Sequence, residues 1–268
     1  MSNGLIQFKK SSPYKAIFII VLYAIGSTSL PYIPEILFNF SEKINMLLYI
    51  ILKAVTIIYG IYLVCSFGYK HIFKYDLKSF FIAMLLYIPC ILVCINNFPI
   101  VALITKNASL NIKPIEFCLY ILICLSIAIF EEVIFRGLIF PIFLEKFSSF
   151  KAIMLSSLVF SLCHLINAFS INIGYVVLQV GYSFLIGAMC AVNFEKSNSI
   201  YLPIILHFIF NFGGLLLDYN LVQGNIWDKW SVIVTAVLGV FTFAYTIIVY
   251  FKDKKNESSN TKGEKCNP

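Results

Sequence analysis

Residues 114–140 read PIEFCLYILICLSIAIFEEVIFRGLIF. From Phe117 to Phe130 no residue is charged, and the whole stretch is long enough to cross the ~30 Å hydrocarbon layer of a bilayer as one helix. Its far end then carries Glu131, Glu132 and Arg136, the sole arginine of the chain. Ionisable groups at membrane depth are costly, rare and usually tied to function. The stretch therefore predicts a membrane helix with a polar site built into it.

The rest of the chain agrees. Of its 268 residues 60% are hydrophobic and 12% charged, with a mean hydropathy of +0.89. A soluble domain of this size cannot hide that much apolar surface. The sequence predicts an all-α polytopic membrane protein, a bundle of about eight transmembrane helices around a buried polar active site. The spans fall near 16–34, 45–67, 79–96, 114–140, 150–169, 172–194, 199–217 and 230–251. Pro31 and Pro34 end or kink the first. Lys53 is the least comfortable lysine of the second, and is expected to face the bundle interior. The chain divides into N-terminal helices (1–113), a core (114–217), a last helix (218–251) and a polar tail (252–268) expected to be disordered.

The net charge is +7, and its distribution reads as topology. Lys9, Lys10 and Lys15 precede the first span; Lys70, Lys74 and Lys78 lie in the loop after the second; more lysines fill the tail. The positive-inside rule places both termini in the cytoplasm, with Lys106 and Lys113 of the 97–113 connection as a minor conflict. No folded soluble region carries a basic face, which argues against nucleic acid as a partner. The start of the chain lacks a small-residue cleavage site and reads as a first span rather than a cleaved signal. The eight cysteines have no zinc-site or disulfide spacing, and the seven from Cys65 to Cys190, in or beside apolar segments, read as packing residues. Gly181, Gly187 and Ala191 line the sixth span with small residues that suit close helix packing.

Three patterns carry the chemistry. Glu132 and Arg136 are four apart on a helix and share a face, so they can pair, while Glu131 is turned by ~100° and points elsewhere. A buried carboxylate free of that arginine suits a general base. Phe160 and His164 are four apart on another span, as are His207 and Asn211 on a third; Pro203 is expected to bend that third helix near the site. Counted from the nearest loops, Glu131 and His164 each lie ~21 Å deep and His207 and Asn211 ~12–18 Å, at 1.5 Å per residue, so all four can converge in one layer.

Together, Glu131-Glu132-x-x-x-Arg136, Phe160-x-x-x-His164 and His207-x-x-x-Asn211, in that order, resemble the CAAX protease and bacteriocin-processing family of intramembrane endopeptidases. The flanks Phe135-Arg136-Gly137 and Leu202-Pro203 fit as well, and the likeness spans residues 114–217. The resemblance implies peptide-bond hydrolysis inside the membrane. Glu131 would activate water, His164 would help to hold it, and His207 and Asn211 would donate to the oxyanion. Glu132 and Arg136 would support Glu131. No cofactor is required by that scheme. Zinc is the alternative, with Glu131, His164 and His207 as its protein ligands, although the His-Glu-x-x-His helix of a zinc protease is absent. The expected substrate is a hydrophobic peptide or membrane protein, and the expected setting a bacterial cytoplasmic membrane, in bacteriocin or signalling-peptide processing or self-immunity. The rival readings are a non-catalytic immunity or scaffold protein and a proton-coupled transporter. The second calls for repeated halves, which the sequence lacks.

Overall fold

The computed structural model describes residues 2–38, 40–96, 108–110, 113–170, 172–218, 222–224 and 229–264, with side chains described over 4–38, 40–93, 113–170, 172–214 and 237–255. It is a helical bundle. In chain order the helices are α1 (Ser2–Ser11), α2 (Pro13–Ser29), α3 (Ile33–Leu37), α4 (Glu42–Ser66), α5 (Leu77–Leu86), α6 (Ile88–Asn96), α7 (Pro114–Ile134), α8 (Phe140–Leu144), α9 (Ser149–Cys163), α10 (Ile173–Ser197), α11 (Tyr201–Asp218) and α12 (Lys229–Glu264). A three-residue antiparallel clip, β1 (Ala108–Leu110) against β2 (Val222–Gly224), pairs Ser109 with Gln223 and ties two loops together at one end.

The chain is a multi-pass membrane protein. Five stretches among the described residues are long and apolar enough to cross a bilayer: Pro13–Leu37, Glu42–Ser66, Pro114–Leu144, Ser149–Phe169 and Ile173–Ser197. Apolar residues such as Phe18, Ile58, Leu85 and Val177 face outward, while Lys53, Glu132, Arg136, Ser157 and His207 are buried. The polarity is that of a body solvated by lipid.

The expected third span is not one helix. It divides at Tyr87 into α5 and α6, because Pro89 cannot donate to Leu85 and disfavours helical geometry at the residue before it. It still returns the chain across the bundle. Along α4 and α7, the Met46–Tyr49 end packs with Tyr120–Cys124, Lys53 lies on Phe130, Gly60 faces Val133 and Val64 faces Gly137. These two helices run parallel, so an odd number of passes must lie between them. The close approach has a cause: a Cβ on Gly137 would stand 2.9 Å from Val64 and 3.1 Å from Ile72, and one on Gly60 would stand 3.2 Å from Val133. Glycine here lets backbones meet where lipid gives helices no hydrophobic reason to associate. Gly187 does the same for α10 against α9, 3.0 Å from Phe160, whereas Gly181 faces open space.

The loops that the charge pattern grouped on one side do meet at one end. Lys9 binds Glu145, the Ile200 N–H donates to Ile72 O at 3.1 Å, and Lys196 pairs with Asp253 at 2.5 Å. Lys254 pairs with Glu195 at 3.0 Å in the same region. Two ion pairs carry α12 past residue 251, and the helix runs to Glu264. Cys94 and Cys266 lie outside the described side chains; Cys90, Cys124 and Cys190 are buried packing residues, whereas Cys65 and Cys118 are exposed.

Candidate functional site

α7 does not end as an ordinary helix. Residues Phe135–Ile139 form a π turn before α8 resumes. Such turns insert a residue into the helical ladder and concentrate at functional sites. Here the turn holds Arg136 and Gly137. Glu131 and Glu132 lie on the last α-helical turn before it.

Glu132 is the centre of a closed network. It is fully buried, and its Oε1 accepts from Arg136 Nη1 at 2.9 Å, the pairing expected of an i, i+4 spacing. The other guanidinium nitrogen, Nη2, donates to Gly187 O on α10 at 2.8 Å, and the guanidinium lies 4.9 Å above the Phe160 ring. Arg136 thus clamps α7, α9 and α10 around one carboxylate. The same Oε1 receives His207 Nδ1 of α11 at 2.7 Å, a contact that spacing within single helices does not reveal.

That bond sets the chemistry of His207. With Nδ1–H donated to Glu132, Nε2 is the free nitrogen, and it faces Glu131 Oε2 at 3.4 Å. Glu131 is turned away from Arg136, as the helical rotation predicts, and its side chain keeps 16% of its surface open. The residue before it, Phe130, lies under the Lys53 ammonium of α4, and His207 approaches Glu131 from α11, so Glu131 stands where α4, α7 and α11 meet.

His164 joins through Phe160. Its ring packs edge-on against Phe160 with centroids 5.0 Å apart, and His207 packs on the same ring at 5.8 Å. The helix expected to run through His164 stops at Cys163. Residues His164–Phe169 form a tighter turn, and His164 Nδ1 engages Phe160 O at 3.1 Å, so Nε2 is its outward nitrogen. Asn211 is half-buried one turn beyond His207, and among the described residues its amide has no hydrogen-bond partner. Pro203 does not bend α11. It occupies the first turn, where its missing N–H has no partner to lose.

The zinc alternative does not fit. Among the described residues no three His, Cys, Asp or Glu side chains stand as a ligand set. What the arrangement offers instead is a partly open carboxylate beside a histidine nitrogen, with an unengaged amide on the same helix.

Comparison with known proteins covers the same segment. Residues 113–213 match the family model for the type II CAAX prenyl endopeptidase, Rce1-like. No curated protein and no solved structure matches the chain.

Proposed function

Residues 113–213 carry an Rce1-like domain, and from that premise we propose that the chain is an intramembrane endopeptidase in which Glu131 activates water against a peptide carbonyl. The observation that carries this reading is the division of labour between adjacent glutamates. Glu132 Oε1 is taken by Arg136 and His207, while Glu131 stands 3.4 Å from His207 Nε2 with its side chain partly open.

The steps follow from those atoms. Water held between Glu131 and the outward nitrogen of His164 gives a proton to the Glu131 carboxylate as its oxygen bonds to the carbonyl carbon. The carbonyl oxygen becomes an oxyanion and is met by the Asn211 amide and, with His207 doubly protonated so that its Nδ1–H stays on Glu132, by the His207 Nε2–H. The C–N bond then breaks, and Glu131 returns its proton to the departing amine. Glu132 fixes the His207 ring through Nδ1, and Arg136 holds Glu132 in place. This scheme calls for no metal. The substrate class we propose is a hydrophobic peptide or membrane protein in a bacterial cytoplasmic membrane, with both termini of the enzyme inside, and the setting is bacteriocin or signalling-peptide processing or self-immunity.

The test is comparative peptidomics of the host with wild type against Glu131→Gln, at matched membrane levels of the two proteins. A peptide or membrane protein left uncut by the variant identifies the substrate, and purified enzyme should then lose about 100-fold or more in kcat. An unchanged peptide profile, with any immunity phenotype intact, would sink the catalytic reading in favour of a scaffold.

A further inference from the structure

Lys53 lies on α4, outside the segment that matches the family model. It is 1% exposed at membrane depth, where a lone ammonium is expensive. Among the described residues no carboxylate stands within ion-pair distance of it. Its Nζ donates to Ser27 O of α2 at a long 3.4 Å and sits 4.0 Å above the Phe130 ring, the residue next to Glu131. Tyr23 of α2 packs edge-on against the same ring, with centroids 6.1 Å apart, and its hydroxyl donates to Thr56 O on α4. The ammonium is thus held in place by α2, α4 and α7 together, on the ring of the residue that precedes Glu131.

Charge balance gives this placement a meaning. The buried layer holds two carboxylates, Glu131 and Glu132, and two basic side chains, Arg136 and Lys53. Arg136 is bound to Glu132 at 2.9 Å, so the remaining opposite charges are Glu131 and Lys53. In a low-dielectric interior such charges act on one another beyond contact distance.

We propose that Lys53 is a positioning residue that balances the Glu131 carboxylate from across the α4–α7 interface, so that the N-terminal helices complete the site rather than merely surround it. This rests on the reading of Glu131 as the base. It also explains a lysine where methionine would fill the same space without the cost of a buried charge.

The experiment is a double-mutant cycle on the purified full-length protein, with Lys53→Met, Glu131→Gln and both together, read as thermal midpoints. If the two charges offset each other, each single variant melts lower, and the double melts higher than the sum of the single losses predicts. Additive losses overturn the proposal. Should Lys53→Met fail to fold, recovery of folded protein in the double variant supports it, and failure in both backgrounds overturns it. This arm does not depend on proteolysis, so it stands apart from the failure of the enzyme reading. The kinetic arm uses an internally quenched farnesyl-cysteine peptide. Lys53→Met should lower kcat about 10-fold with KM unchanged, less than the loss from Glu131→Gln, and Lys53→Arg should restore most of it. An unchanged kcat in Lys53→Met, or a loss confined to KM, overturns the positioning role. If wild type leaves this peptide uncut, the thermal cycle alone decides the role of Lys53.

Discussion

Lys9 and Arg136 are both buried bases bonded to a glutamate, and they sit in clusters of opposite character. At the loop end, Lys9 Nζ donates to Glu145 at 2.6 Å and to the Tyr69 hydroxyl at 2.9 Å, and Tyr69 donates to the same Glu145 oxygen at 2.9 Å. Burial and the bond to Glu145 push the Tyr69 hydroxyl above its ordinary range, so it stays a donor. The triangle is complete and asks nothing of a ligand. In the middle of the bundle the polar groups are not all used. Glu132 Oε2 is buried without a partner, Asn211 has none among the described residues, and Glu131 has only the 3.4 Å approach of His207. A cluster that holds helices together satisfies itself; one that handles a substrate leaves donors and acceptors unspent.

The sharpest way to break this contrast is to remove the buried ion pair from the middle cluster. Arg136→Leu leaves Glu132 buried with only His207 beside it, and strips the bond to Gly187. The expected loss is ~3–5 kcal/mol of stability, from an uncompensated charge. Thermal unfolding in micelles measures it. A melting midpoint near wild type would mean that Arg136 is not what holds Glu132 in its buried state.

Asn211→Ala tests the unspent side. The substitution removes no bond seen among the described residues, so stability should stay within ~0.5 kcal/mol. An oxyanion donor is nevertheless worth ~100–1,000-fold in kcat, about 2.7–4 kcal/mol of transition-state binding. A large loss of stability with intact turnover would reverse the assignment and make Asn211 a packing residue.

How much of this was legible in the sequence follows from what a helical repeat encodes. Spacing within one helix fixed the Glu132–Arg136 pair and turned Glu131 away from it, and counting residues from the loops put His164 and His207 at the depth of Glu131. Helix-to-helix rotation has no such local signal. The Glu132–His207 bond, the edge-on packing of both histidines on Phe160, and the pairing of α4 with α7 therefore emerge only in three dimensions. The π turn at Phe135–Ile139 was unreadable for a related reason: Gly137 marks it, yet glycine in a membrane helix equally signals close packing, and here it serves both. Pro89 carried the break of the third span, and an apolar run read by hydropathy alone passes over it. Lys53 was flagged by cost alone; its neighbour Phe130, and through it Glu131, needed the fold.

The smallest effect belongs to the closed cluster. In Lys9→Met the stem still packs against the Tyr69 ring, which the ammonium now approaches to 4.2 Å, and Glu145, 38% exposed, can turn to water. Tyr69 retains its own bond to Glu145. The loss should be about 1 kcal/mol, above a surface pair and well below the middle one, because only one of the two charges is buried. Turnover should not change, since no atom of this triangle lies in the layer of Glu131 and His207. Measured together, the melting midpoint and kcat of Lys9→Met decide whether the loop-end triangle is a fastening alone. If kcat falls while the protein stays folded, the two clusters are coupled through α7 and α8, and the contrast between a fastening and a working site would have to be redrawn.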